Sequence, residues 1–200
     1  MVWEISWREF LAMGGSVMFP LLAVALMLSF FIVERFLYFA DLRSKSDMTP
    51  DDVITNLEKP SGEVAGTRGI YHRLCARLVH AKKIYGRLDI MILNETTKSF
   101  LPELRKNFTT IACLITVAPL LGLLGTVTGM IHTFNVMNIF GTGNAKAMSS
   151  GISEAMITTQ FGLVIAILGL YAQMFIARRA RRAETAVEEL TRHIIRKFNL

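Results

Sequence analysis

Acidic side chains are scarce in the second half of this 200-residue chain: between Glu103 and Glu184 there is one, Glu154. Cysteine is scarcer still, with only Cys75 and Cys113. The first falls in a basic segment and the second at the start of an apolar one, which argues against a disulfide and against a cysteine metal site. His72, His80, His132 and His193 are scattered, with no paired-ligand spacing and no nucleophile elbow nearby. No hydrolase, kinase or dinucleotide fingerprint is present. The chain therefore does not read as an enzyme, and it calls for no metal or cofactor.

What the chain has in quantity is apolar surface. Hydrophobic residues make up 52% of it, enough to place it among membrane proteins before any motif is read. No residue between Glu9 and Glu34 is charged, and Val17 to Val33 is interrupted only by Pro20 and Ser29. The uncharged stretch from Lys106 to Lys146 is too long for one crossing, and its apolar pattern fails at "NVMNIFGTGNAKAMSSG". A third apolar stretch, "AMITTQFGLVIAILGLYAQMFIA", lies between Glu154 and Arg178. The expected plan is all-α with three transmembrane helices at 14–40, 111–137 and 152–177. Between them lie an outer segment at 1–13, a basic helical region at 41–110, a short turn at 138–151 and a helical tail at 178–200. The first span lacks a basic leader and a small-residue cleavage site, and so reads as retained.

Lysine and arginine set the orientation. Twelve lie in residues 41–110 and seven after 177, against Arg8 alone in the first thirteen residues and Lys146 alone in the turn. The positive-inside rule then predicts an outer N-terminus, with the 41–110 region and the tail in the cytoplasm. The net charge of +6 follows membrane topology and needs no nucleic acid to explain it. "RRARR", Arg178 to Arg182, suits anionic lipid head groups.

The cytoplasmic parts read as amphipathic helix. Ile70, Leu74, Leu78 and Ala81 recur at three- and four-residue steps, as do Ile84, Leu88 and Ile92. Ser44 to Gly69 has the density of a connecting loop around a short helix. Ala183, Val187, Leu190, Ile194 and Phe198 form one stripe, which carries the third span onward as a single long helix. Pro102 marks a possible kink before span two.

Two spans carry faces of small residues. Pro119, Gly122, Thr126, Gly129 and Thr133 share one side of span two, and Ala155, Thr159, Gly162, Ala166 and Gly169 share one side of span three. Small faces are the usual means by which membrane helices pack closely; lining a pore is the other use, and spacing leaves both open. Glu154 also has two readings. A carboxylate in a membrane helix should face protein or water. Alternatively, with Ser150 or Ser153 capping, it complements the helix dipole at the interface.

"APLLGLLGTVTGMIHTF", a short turn and then "GISEAMITTQFGLVIAI" resemble the paired signature of the MotA/TolQ/ExbB proton-channel family. Three spans with an outer N-terminus, and "ERF" closing span one at Glu34 to Phe36, resemble its ExbB/TolQ branch; MotA-type stators have a fourth span. The resemblance implies a bacterial inner-membrane subunit. A homopentameric ring of it would surround the spans of an ExbD- or TolR-like partner whose aspartate carries protons, and would drive a TonB- or TolA-like protein. Matching positions imply a proton path lined by Thr126 and Thr159, with Glu154 where the family has its span-three glutamate. Thr158 and Thr133 join that candidate set, and Gly122, Gly129 and Gly162 are candidates for helix packing. Departures from the pattern are Leu168-Gly169 in place of a proline, and Thr128 where tryptophan is common. Gln160 is more ExbB-like and His132 more TolQ-like. The implied function is ExbB-like, energising TonB-dependent outer-membrane transport. The alternatives are a TolQ-like subunit of the Tol-Pal system and a non-conducting scaffold.

Overall fold

A computed structural model describes residues 14–43, 50–58, 69–85, 89–141 and 145–198, and among these there is helix and turn but no strand. Helix α1 is Met18–Arg43, α2 Pro50–Glu58, α3 Ile70–Tyr85, α4 Ile90–Leu104, α5 Phe108–Phe140 and α6 Ala145–Phe198.

Local signals explain most boundaries. Pro50 opens α2, where a missing N–H costs nothing, and Asp51 and Asp52 complement the dipole in its first turn. Asp89 caps α4, accepting a hydrogen bond from the Ile90 N–H at 2.8 Å. That cap corrects one sequence expectation. The stripe through Ile84, Leu88 and Ile92 does not belong to one helix, because α3 ends at Tyr85 and α4 starts afresh at Ile90; Leu88 lies outside the described residues. Pro102 sits in the last turn of α4. The helix stops two residues later, and Asn107, at φ 64°, turns the chain into α5. At the other end of α5, Gly141 takes φ 70°, a conformation that glycine adopts without penalty. The polar run after it is helical again from Ala145, and 142–144 lie outside the described residues.

The described residues divide into two compact units. The first contains α1 up to Ile32, all of α5, and α6 up to Gln173. Leu28, Ile111, Ile115 and Ala166 are buried together, with Phe31, Ile32, Leu114 and Ile165 packed around them. The opposite sides of these helices carry exposed large apolar side chains, among them Phe30, Leu120, Val127, Phe134, Ile167 and Leu168. A water-soluble domain rarely exposes so much contiguous apolar surface. Among the described residues three helices are long and apolar enough to cross a membrane. The chain is an all-α multi-pass membrane protein.

The second unit contains Val33–Asn107 and the chain from Met174 onward. Val53, Ile54 and Leu57 of α2, Leu74 and Leu78 of α3, Leu93, Phe100 and Leu104 of α4, and Val187, Leu190 and Ile194 of α6 make its apolar interior. The stripe read along the tail is the face that α6 buries. Within this interior the Thr97 and Thr191 hydroxyls share a hydrogen bond of 3.1 Å, so two buried polar groups satisfy each other. Arg35 is 2% exposed, a costly place for a cation. Its Nη1 donates to the Glu103 carbonyl at 3.3 Å, and its guanidinium lies 5.3 Å from the Tyr38 ring centroid. Arg105 forks onto Glu184 with bonds of 2.6 and 2.8 Å. That fork holds the Glu184 carboxyl below its ordinary range, chiefly through the hydrogen bond from Arg105.

Candidate functional site: a seam of glycine and threonine

In the first unit, α5 and α6 meet along a seam made almost wholly of small residues. Its buried small residues are Ala118, Gly122, Gly125, Gly129 and Thr133 on α5, and Gly151, Ala155, Thr158, Gly162, Ala166 and Gly169 on α6. The approach is close enough to need glycine. A Cβ on Gly162 would lie 2.6 Å from the Ala118 carbonyl oxygen, and one on Gly129 would lie 2.8 Å from the Gly151 carbonyl. One on Gly122 would reach the Thr159 Cα at 3.1 Å. Close backbone approach of this kind is the packing use of a small face.

Most of the faces expected from spacing are buried, namely Gly122, Gly129 and Thr133 on α5 and Ala155, Gly162, Ala166 and Gly169 on α6, while Ala118, Gly125 and Thr158 replace their expected neighbours. Gly125 rather than Thr126 is buried on α5, and Thr158 rather than Thr159 is buried on α6; Pro119, Thr126 and Thr159 flank the seam half-buried. The Thr158 side chain lies directly against Gly125. The signal for Gly125 was available in the 4-3-4 run Ala118, Gly122, Gly125, Gly129. A parallel run through Pro119 and Thr126 masked it.

The threonine hydroxyls are accounted for within the helices. Thr116, Thr126, Thr128, Thr133, Thr158 and Thr159 each lie within hydrogen-bonding distance of a carbonyl one turn earlier, for example Thr126 to Leu123 at 2.6 Å and Thr133 to Gly129 at 3.0 Å. Back-bonding lets a hydroxyl sit in an apolar span at little cost. Thr159 is distinct because its Oγ1 also lies 3.1 Å from the Gly122 carbonyl across the seam, as against 3.2 Å from its own Ala155 carbonyl. It links the two helices, while Thr158 turns to Ala155 at 3.0 Å.

Glu154 lies on the same helix, half-buried, with its Oε1 directly over the α-carbon of Gly15. Gly15 has φ 63° and belongs to the turn that leads into α1, where Met18 N–H bonds to its carbonyl at 3.2 Å. The dipole-capping reading of Glu154 is overturned. Helix α6 begins at Ala145, so Ser150, Ser153 and Glu154 are all beyond its first turn. The pieces brought together are thus a hydroxyl-bearing seam and, on the same helix, one carboxylate. Among the described residues no group of three His, Cys, Asp or Glu side chains is placed to hold a metal ion.

Residues 76–189 match the MotA/TolQ/ExbB proton channel family, a stretch that includes the whole seam. Over 170 residues the chain is 33% identical to the biopolymer transport protein ExbB-like 3 of Synechocystis sp., covering 81% of each chain. It is 37% identical over 173 residues to ExbB-like 1 of the same organism, covering 81% of this chain and 66% of that one. Similarity to the Tol-Pal system protein TolQ of Haemophilus influenzae is shorter, 32% over 74 residues, covering 37% of this chain and 32% of that one.

Proposed function

The chain belongs to the MotA/TolQ/ExbB proton channel family, and we propose that it acts as an ExbB-like subunit of the bacterial inner membrane that couples proton flow to work at the outer membrane. Five copies form a ring around the spans of an ExbD-like partner bearing a membrane aspartate, and the assembly drives a TonB-like protein. The N-terminus lies outside, and the second unit and tail lie in the cytoplasm, supported by the lysine and arginine distribution.

The observation that carries the reading is the chemistry of the seam. Its flanks bear hydroxyls at Thr126 and Thr159, yet from Phe108 to Ala177 the only carboxylate is Glu154. A hydroxyl does not titrate near neutral pH, but it accepts and donates hydrogen bonds and so holds water in an apolar lumen. Thr126 and Thr159, half-buried on the flanks, then guide protons, while Thr133 and Thr158, buried in the seam, serve its packing, and the titrating carboxylate comes from the partner. Gly122, Gly129 and Gly162 set how closely the wall helices approach.

The TolQ-like reading differs only in the proteins served; the greater length and identity of the ExbB-like matches favour the first. The test is proton flux into proteoliposomes under an imposed pH gradient. Little flux is expected from this subunit alone, and a regulated flux once the aspartate-bearing partner is added, abolished when that aspartate becomes asparagine. Strong flux from the subunit alone overturns the shared-site mechanism. No flux from the complete complex favours the scaffold.

A further inference from the structure

The second unit holds a pocket of about 320 Å³ that the proton path does not use, lined by Phe39 and Leu42 of α1, Ile70 of α3, and Arg179, Arg182 and Ala183 of α6. Its composition is two-faced. Three of its lining residues are large and apolar, and two are arginines. Arg179 is held in place with its guanidinium 4.6 Å from the Phe36 ring centroid, a cation–π contact that leaves its N–H groups free to bind another group. The carboxylates on neighbouring turns are engaged elsewhere: Asp41 pairs with Arg73 at 3.0 Å, and Glu184 with Arg105 at 2.6 Å. Two arginines therefore line the cavity, and the acids on neighbouring turns are paired with other cations.

The position of the pocket along the sequence identifies the ligand. The span of α1 runs to Leu42, with its first charges, Glu34 and Arg35, about two turns earlier, and the apolar run of α6 gives way to "RRARR" at Arg178. The lining thus comes from the charged end of both spans, the depth of phospholipid head groups. Arginine forks match phosphate oxygens, and basic pockets between membrane helices suit anionic head groups.

We propose that this pocket is a binding site for one anionic phospholipid, its phosphodiester held by Arg179 and Arg182 and its glycerol and upper acyl carbons against Phe39, Leu42 and Ile70. This goes beyond the general attraction of a basic juxtamembrane run to a charged surface, because it needs a cavity as well as charge. The orientation proposed above places the lipid in the cytoplasmic leaflet. The site itself does not depend on proton conduction, and its test reads lipid retention alone.

Native mass spectrometry of the full-length chain in neutral detergent, with added dioleoylphosphatidylglycerol, counts retained lipid. Wild type is expected to keep it, and the double variant Arg179→Gln with Arg182→Gln to lose it on the order of tenfold. Ala183→Trp, which fills the cavity and keeps both arginines, is expected to lose it as well. Arg192→Gln with Arg196→Gln, at exposed arginines further along α6, is expected to keep it. Dioleoylphosphatidylcholine should not be retained, and millimolar inorganic phosphate should not displace the lipid. Retention by Ala183→Trp would show diffuse surface attraction and overturn the site. So would equal retention of phosphatidylcholine, or displacement by phosphate. Should Ala183→Trp fail to fold, the double arginine variant decides, since Arg182 is exposed and Arg179 half-buried.

Discussion

The hydroxyl of Thr159 lies 3.1 Å from the carbonyl oxygen of Gly122, joining α5 and α6 where a Cβ on Gly122 would reach the Thr159 Cα at 3.1 Å. One side chain thus serves the packing of the seam and supplies a polar group on its flank. The two uses that spacing left open for the small faces are not exclusive at this residue.

Replacing Thr126 and Thr159 together with valine keeps shape and removes both hydroxyls. Thr126 has only its own-helix bond to lose, and Thr159 loses a cross-seam bond of about 1 kcal/mol. The complex should still assemble, with proton flux in proteoliposomes strongly reduced. Failure to assemble, seen as loss of the oligomer peak in size exclusion, would assign the hydroxyls to packing.

Gly162→Leu should do the reverse. Its Cβ would lie 2.6 Å from the Ala118 carbonyl and 3.3 Å from the Gly122 nitrogen, both backbone atoms that cannot swing aside. Overpacking of this kind costs about 1–3 kcal/mol or more. A lowered melting temperature and a lower yield of oligomer are expected; an unchanged melting curve would mean the seam is looser than described.

Gly15→Ala offers a way to move Glu154 without changing it. The added methyl would collide with the Glu154 carboxylate, and φ 63° at this position is strained for alanine. If Glu154 contributes to the proton path through its placement, Gly15→Ala and Glu154→Gln should lower flux to a similar degree. Full flux in Gly15→Ala with loss in Glu154→Gln would separate the charge from the contact with the turn.

The Arg105–Glu184 pair makes stability depend on acid. Glu184 titrates below its ordinary value of 4.5 because Arg105 donates to its carboxylate. Since the folded-state value is depressed, the stabilisation is present above the ordinary carboxylate range and is lost as pH falls through the folded value. Wild type should melt above Glu184→Gln at pH 7, and the two curves should converge as pH drops below about 4.5. A constant gap down to pH 3 would contradict the assignment.

Cys75 is wholly buried in the second unit, and burial pushes its thiol up to about 11. In a Cys113→Ser background it should resist maleimide at pH 8 in the folded protein and react once the chain is unfolded. Rapid labelling of the native protein would show that α3 opens readily.

Length, apolar runs and the placement of lysine and arginine were enough to read three spans and a long helical tail, because those features depend on the chain's partition between lipid and water. The burial of Val187, Leu190 and Ile194 was legible for a similar reason: their common face is fixed by helix geometry alone. The register of the seam was not. Successive residues on a helix differ by about 100°, so Gly125 and Thr126, or Thr158 and Thr159, are equally plausible centres of a small face until a second helix chooses between them. That choice was made by how closely α5 and α6 approach, which leaves no room for a Cβ at Gly129 or Gly162 and sets the Thr158 side chain against Gly125. The break at Asp89 and the contact of Glu154 with Gly15 belong to the same class. Each depends on residues distant along the chain, or on a cap competing with a periodic stripe, and only the folded arrangement weighs those terms against one another.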